Sequence, residues 1–377
     1  MLTERERFWH FSRFEPTDYL PFWGDWVGPA ERWRPEGCPI PANLPDGGQR
    51  RWFLDYFHFE GIFSAFWGEQ RVPVNLGPYP GFPREMYEET RHYCVYRDGN
   101  GCIVKRFKDE HGSLHSTQWL AYPIKNRADW HWFRDNQLNP SDPGRYPPEA
   151  EWNQMVQQWK TRTNVISIDG GSFYGFIRDW MGVEGTSMML FDDPSLVYEM
   201  VEYLTEFYIQ TLHRALHEVE IDFALFWEDM CYKAGPLLSP AMFRTFILPG
   251  YQKVTAFLAD HGVTLSWVDC DGNIDVLIPL WLEGGVRGFY PLEVASDMDA
   301  VRLQALYGRR ILTWGNVDKR ALAQGKAAID AEIARLAPAV AHGGFIPLVD
   351  HGVPDDVPYS HYLYYLEQRK RLTGYQG

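Results

Sequence analysis

The feature that most constrains this 377-residue chain is a regular alternation that begins near residue 160. Six short apolar runs, at 165–168, 223–227, 264–268, 288–292, 311–315 and 345–349, read as buried strands, each rich in β-branched or aromatic side chains. Between them lie helical patterns. Residues 194–216 put Leu196, Val197, Met200, Val201, Leu204, Phe207, Tyr208, Thr211, Leu212 and Ala215 on one stripe, with Asp193 as N-cap and Pro194 at the first helical position. Ser239 before Pro240 and Asp297 before Met298 predict further helix starts, and Gly262, Gly308 and Gly343 helix ends. Six strand–helix units in succession imply a parallel sheet with right-handed crossovers. Two more strands, at 19–23 and 71–75, complete an eight-stranded (β/α)8 barrel of the TIM type. An open doubly wound sheet is the alternative, but no G-x-G-x-x-G follows any strand.

The first 160 residues have another texture, dense in Pro, Gly, Trp and Arg and poor in periodicity. One hairpin is legible there: strands at 92–96 and 102–106 flank Asp98–Gly99–Asn100–Gly101, whose residues tolerate positive φ. A strand at 117–122 extends it to a meander. The expected organisation is therefore one distorted barrel domain over 1–377, with 76–160 an insertion carrying the hairpin and 160–370 the regular units.

Composition narrows the function. A net charge of −14 argues against nucleic acid, whose binding rests on clustered Lys and Arg. No apolar run reaches the ~18 residues a membrane span needs, and the N-terminus has no apolar leader, so a cytoplasmic protein is expected. Five widely spaced cysteines without a C-x-x-C pair indicate neither a disulfide framework nor a thiolate zinc site. The 16 tryptophans exceed what packing demands, so some rings should line a site, and a homodimer is a further expectation.

In a parallel barrel the site lies at the C-terminal strand ends. Those ends carry Asp169, Glu228 and Asp229, Asp269 and Asp271, Glu293, Asn316 with Asp318, and Asp350 with His351. Acids also gather on a barrel rim as helix caps, but here they recur over six strand ends. Asp269 and Asp271 are two apart, so both face the pocket while Cys270 faces away. Two close carboxylates either share a proton, pairing a general acid with a general base, or hold a cation. His351 then completes a two-carboxylate, one-imidazole set, with Asp269, Asp271 and His351 as catalytic residues or metal ligands. The competing reading assigns Asp271 to a turn with Gly272 and His351 to a backbone carbonyl. Glu228 and Asp229 are adjacent, so one of them reaches the pocket, with Asp229 preferred. His58, His111, His115, His213, His217 and His261 have no partner motif, and His361, Tyr362, Tyr364 and Tyr365 lie on a helix with packing periodicity.

Several runs together resemble the uroporphyrinogen decarboxylase superfamily, which includes cobamide-dependent methyltransferases. They are 227–230 (WEDM), 235–244 (GPLLSPAMFR), 248–251 (LPGY), 271–273 (DGN), 284–286 (GGV), 291–293 (PLE), 315–318 (GNVD) and 343–346 (GGFI). The likeness covers 160–370 and, weakly, the first 50 residues. It implies a distorted (β/α)8 barrel. The departures are informative. Uroporphyrinogen decarboxylases carry an Arg-rich glycine segment after the first strand that grips substrate carboxylates, whereas 23–28 here read WGDWVG, without arginine. The zinc-dependent methyltransferases carry H-x-C-G where this chain has Asp269–Cys270–Asp271–Gly272, so the resemblance implies Asp269, Asp271 and His351 as harder ligands for a divalent metal such as zinc.

Three functions follow as expectations. The first is methyl transfer from a small, flat donor such as a methoxylated aromatic to a corrinoid on a separate partner protein, recognisable by a D-x-H-x-x-G signature that this chain lacks. Trp23, Trp26, Phe173, Tyr174, Trp227, Trp267 and Tyr290 would line the donor site, with Glu293 and Asn316 at its rim. The second is decarboxylation of an aromatic or heterocyclic acid, held by Arg178 or Arg244. The third is a non-catalytic ligand-binding barrel.

Overall fold

The computed structural model describes every residue except 28, 42–43, 45–47, 62, 109–113 and 377. A four-stranded antiparallel meander comes first, in the order β1 (Glu85–Glu89), β2 (Tyr93–Arg97), β3 (Ile103–Lys108), β4 (Leu114–Ala121). The expected hairpin is its β2–β3 pair, with Arg97 opposite Ile103 and the Asp98 carboxylate taking the Cys102 amide at 2.9 Å. Strand β1 was not expected: its EMYEE sequence is exposed throughout and lacks alternation.

The six apolar runs form one parallel sheet, ordered β5 (Ser167–Gly171), β6 (Phe223–Trp227), β9 (Ser266–Asp269), β10 (Gly288–Leu292), β11 (Leu312–Val317), β12 (Phe345–Val349). A two-stranded ribbon, β7 (Cys231–Tyr232) with β8 (Gly235–Pro236), follows β6. Strand β5 lies two residues later than its apolar run because pairing, not hydrophobicity, sets it. It ends on Gly170 and Gly171, where a Cβ would stand 2.8 Å from the Phe226 ring and 2.5 Å from the Tyr208 ring. The helix Pro194–Glu218 forms with the Asp193 cap on Leu196 N at 3.1 Å and buries the expected stripe. The cap expected at Asp297 is instead Asp299, which accepts from Arg302 N, while Asp297 takes a left-handed turn. No described helix is long and apolar enough to cross a membrane.

The sheet closes into a distorted (β/α)8 barrel through irregular backbone. The expected strands at 19–23 and 71–75 survive as isolated bridges, Trp23 to Glu60, Val27 to Val353 and Arg71 to Ser167. Each carries a central proline, Pro21 or Pro73, which has no N–H for a ladder. On one side Ser167 donates to the Gln70 carbonyl at 3.1 Å and Val72 donates to the Ser167 carbonyl at 2.8 Å. On the other, Val353 donates to the Trp26 carbonyl at 2.8 Å and Val349 donates to Asp25 Oδ1 at 2.9 Å. Asp25 also accepts from Tyr362 at 3.0 Å, Tyr365 at 3.3 Å and Arg369 Nη1 at 2.9 Å, all on the C-terminal helix Tyr359–Thr373. Arg369 in turn donates to the Trp23 carbonyl and lies 4.2 Å over the Phe22 ring.

Strand alternation sorts the core into two shells. Phe223, Leu225, Leu265, Trp267, Tyr290, Leu312, Trp314, Ile346 and Leu348 point inward and pack with Phe8, Phe11, Trp23 and Phe66, filling the barrel. Ala224, Phe226, Val268, Phe289, Phe345 and Val349 point outward under the helices.

Asp25 and Arg369 are 0% and 1% exposed, so removing the carboxylate strands a buried cation. Asp25→Ala is expected to cost about 3–5 kcal/mol in urea unfolding. Arg371→Ala, which breaks an exposed pair with Glu367, should cost under ~1 kcal/mol.

Candidate active site

The same alternation builds the site. An inward residue near the end of five of the six strands tops the filled interior: Trp227 on β6, Asp269 on β9, Tyr290 on β10, Trp314 on β11 and Leu348 on β12 all line a cavity of about 450 Å³. Asp229, Asp271 and His351 join them from the loops just past the strands, Pro291 and Val349 from the strand ends, and Gly24, Asp25, Trp26, Arg50 and Trp67 from the N-terminal part of the chain. The volume suits one small ligand.

Three carboxylates converge there. Asp229, Asp269 and Asp271 each offer an oxygen, and these oxygens all lie within 4.8 Å of one another. Asp269 and Asp271 share the cavity while Cys270 is buried in the outer shell. The chain turns sharply after Asp271 because Gly272 adopts φ 85°, and a Cβ there would meet the Tyr232 backbone at 2.8 Å. Asp229 also carries a left-handed backbone, φ 40°, which turns its carboxylate toward the Asp271 amide at 3.3 Å.

Burial, then repulsion from Asp229 and Asp271, pushes the Asp269 pKa well above the carboxylate range, and Arg71 pulls against it. Asp229 is raised by burial and then by Asp271. His351 Nε2 lies 3.5 Å from Asp271 Oδ2, and that contact raises the imidazole pKa against the opposing effect of burial. Burial and crowding thus favour the protonated forms of Asp269 and Asp229. Its wall is aromatic, with Trp26 55% exposed and its ring 5.3 Å from the His351 ring. The Tyr290 hydroxyl and Trp314 Nε1 are buried without a hydrogen-bond partner among the described residues, so two donors border the cavity unpaired.

Residues 120–372, more than half of the chain, match the family model described as uroporphyrinogen decarboxylase (URO-D). The chain belongs to that family. Curated uroporphyrinogen decarboxylases of Pseudomonas aeruginosa strains LESB58 and PAO1 are each 25% identical over 231 residues, and the match spans 58% of this chain and 58% of theirs. A solved methyltransferase from Methanosarcina mazei superposes over 98% of this chain and 99% of its own with a TM-score of 0.61 at 15% identity, a likeness of fold. The URO-D family is an enzyme family, and the barrel reading agrees with both comparisons.

Within this URO-D barrel the other expected site residues fall outside the cavity. Glu228 is fully buried on the outer side of β6, where it accepts from Phe173 N at 3.0 Å, Gly175 N at 2.9 Å, Ser172 Oγ at 3.2 Å and Tyr251 Oη at 2.7 Å. It therefore caps the helix Tyr174–Asp192, consistent with a carboxylate at a helix N-terminus. Phe173 and Tyr174 pack beside it in the outer shell. Trp267 points inward but sits two residues below Asp269, one layer down, against Trp23, Phe66 and Tyr290, and Trp23 belongs to the same layer. Arg178 donates to the Asp229 carbonyl and pairs with Asp179, and Arg244 pairs with Glu283 at 2.7 Å on the outside. Glu293 accepts from Gly272 N at 3.0 Å and Lys319 Nζ at 3.3 Å, bracing the Asp271 loop. Asn316 is buried, accepts from Ala300 N at 3.0 Å and donates to the Leu292 and Met298 carbonyls. His111 lies outside the described residues.

Sequence reading missed Arg50, Trp67, Trp314 and Arg71. Trp314 was findable, since it is the inward residue of a strand already assigned. Arg50, Trp67 and Arg71 come from the aperiodic N-terminal part, where no pattern marked them. Arg50 donates to the Trp67 carbonyl at 2.7 Å, and Arg71 pairs with Asp169.

Glu228 and Asp269 should separate in stability measurements. Glu228→Ala leaves buried backbone and tyrosine donors unpaired and is expected to cost at least ~2 kcal/mol. Asp269 binds a proton more tightly folded than unfolded. Its contribution is therefore fully present below the ordinary carboxylate pKa and is lost as pH rises through the folded value. Asp269→Asn should stabilise the fold by about 1 kcal/mol above that value, with the advantage shrinking in acid, as read from thermal melts across pH.

Proposed function

We propose that this URO-D-family barrel is a methyltransferase component, which moves a methyl group from a small, flat, uncharged methoxylated donor to a corrinoid on a separate protein. The observation that carries the reading is the chemistry of the cavity: three crowded aspartates, two of them pushed by burial toward the protonated form, under a wall of rings. Such a pocket repels a carboxylate-rich porphyrinogen and holds a neutral aromatic ring well. Arg50 is the only Lys or Arg among the described lining residues. The Methanosarcina mazei methyltransferase carries the likeness of fold, and the reading rests on the pocket.

The donor ring lies between Trp227, Trp314 and Trp26, with Tyr290 and Trp314 Nε1 donating to its oxygens. Asp269, protonated through burial and its neighbours, delivers its proton to the methoxy oxygen as the methyl–oxygen bond breaks. The methyl leaves toward the cavity mouth and the demethylated alcohol stays in the pocket. Asp271 and His351, in contact at 3.5 Å, return a proton from solvent to Asp269. A reduced corrinoid on the partner would supply the nucleophile for the methyl, and the residues of the cavity mouth would present the methyl to it.

The zinc implied by the resemblance fits this chain only in altered form. All five cysteines are buried, and Cys231 and Cys270 lie in the outer shell, so no thiolate set faces the cavity. The three carboxylate oxygens of Asp229, Asp269 and Asp271 suit a harder divalent ion, with His351 beyond that group on Asp271. Such an ion would supply Lewis-acid polarisation of the methoxy oxygen at the same place.

With methoxylated aromatics and a corrinoid protein from the same source, Asp269→Asn is expected to lower the demethylation rate by about 10²–10⁴-fold. The wild-type rate should fall as pH rises through the Asp269 pKa, and Trp227→Ala should raise KM more than it lowers kcat. The competing reaction is decarboxylation of an aromatic acid held by Arg50. Stoichiometric carbon dioxide release from such an acid, without methyl transfer, overturns the proposal.

A further inference from the structure

Three histidines with no role at the barrel mouth meet on the opposite end of the barrel. His213 and His217 lie one turn apart and exposed on the helix Pro194–Glu218. His261 is the C-cap residue of the helix Leu248–Asp260, packed alongside. These helices end just before β6 and β9 begin, so the cluster sits at the strand N-termini, away from the cavity. The ring centroids of His213 and His217 are 4.5 Å apart and those of His217 and His261 5.2 Å, and one ring nitrogen from each lies within 4.8 Å of the other two.

One detail makes this a ligand set and not a stack of rings. His261 Nδ1 lies 2.8 Å from the Phe257 carbonyl. A carbonyl only accepts, so Nδ1 carries the hydrogen and the lone pair is on Nε2, which is the nitrogen a metal can take. This is the backbone contact that orients metal-binding histidines. We propose that His213, His217 and His261 bind one borderline divalent transition-metal ion, zinc or its nickel or copper counterpart, with water completing the coordination. Three imidazoles exclude magnesium and calcium, which take oxygen ligands. Zinc–nitrogen bonds of ~2.0–2.1 Å set tetrahedral nitrogens roughly 3.4 Å apart. Small χ rotations of the two exposed side chains close the remaining gap. The bound ion clips the helix Pro194–Glu218 to the end of the helix Leu248–Asp260 and stabilises the folded chain by mass action.

The test is zinc titration by calorimetry, with thermal melts, on chelator-treated full-length protein without a polyhistidine tag. The Asp229→Asn/Asp269→Asn double variant removes carboxylates at the barrel mouth. It is expected to bind one zinc, and zinc should raise its Tm. On that background His217→Ala, and separately His213→Ala or His261→Ala, should weaken zinc binding at least ~10-fold and abolish the Tm rise. Both exposed histidines sit on a helix surface, and circular dichroism checks that the variants are folded. Absence of zinc binding by the Asp229→Asn/Asp269→Asn protein overturns the proposal, as does unchanged affinity in folded His217→Ala and His213→Ala variants. Neither result bears on methyl transfer.

Discussion

A single buried carboxylate, Asp25, fastens the two ends of this chain together. It takes hydrogen bonds from the last strand and from the terminal helix, and so replaces with side-chain chemistry the backbone ladder that the proline-bearing first strand cannot make. The position also fixes the pocket, since Gly24 and Trp26 on either side of Asp25 line the cavity and Val349, bound to Asp25, leads into His351. Closure and site geometry are thus one constraint. Burying this ion pair is costly unless every lone pair is met, and here two tyrosines, an amide and a guanidinium meet them.

Against that rigid frame the barrel mouth is held in tension. Asp229, Asp269 and Asp271 crowd into a partly desolvated space where full ionisation of all three is unfavourable. Arg71, paired with Asp169, relieves Asp269 from one side, and the Asp271 amide relieves Asp229. Such arrangements destabilise a fold locally and persist where a proton or cation is used. Carboxylates elsewhere on the rim do the opposite work. Glu293 and Asp350 accept backbone amides and hold the loops, so only part of the acidic rim faces the cavity.

How much of this was legible varied with the physics of each segment. The six barrel strands and the long helix stood out because burial imposes periods of 2 and 3.6 on the sequence. The opening strands were located, but their prolines turned them into bridges that pattern reading overstates. Asp269 and Asp271 followed from alternation at a strand end, and the rule that neighbours face opposite ways limited Glu228 and Asp229 to one pocket residue, without itself choosing Asp229. Trp23, Trp267, Phe173 and Tyr174 were expected at the site because aromatic residues near a strand end look alike whether they form wall or filling. Depth along the barrel axis, set by the stagger between strands, takes Trp23 and Trp267 below the wall, while Phe173 and Tyr174 lie outside the barrel in the outer shell.

The amino-acid sequence by itself determined the fold class, the strand order along the chain and the strand ends where acids gather, since these are local consequences of hydrophobic period and chain direction. Only the tertiary structure decided which acids meet and which cap a helix. It also brought Arg50 and Trp67 to the mouth and three histidines from two helices to one spot. Those are distances between residues far apart in the chain, and they are set by barrel closure, register and helix packing, none of which leaves a periodic mark in the sequence.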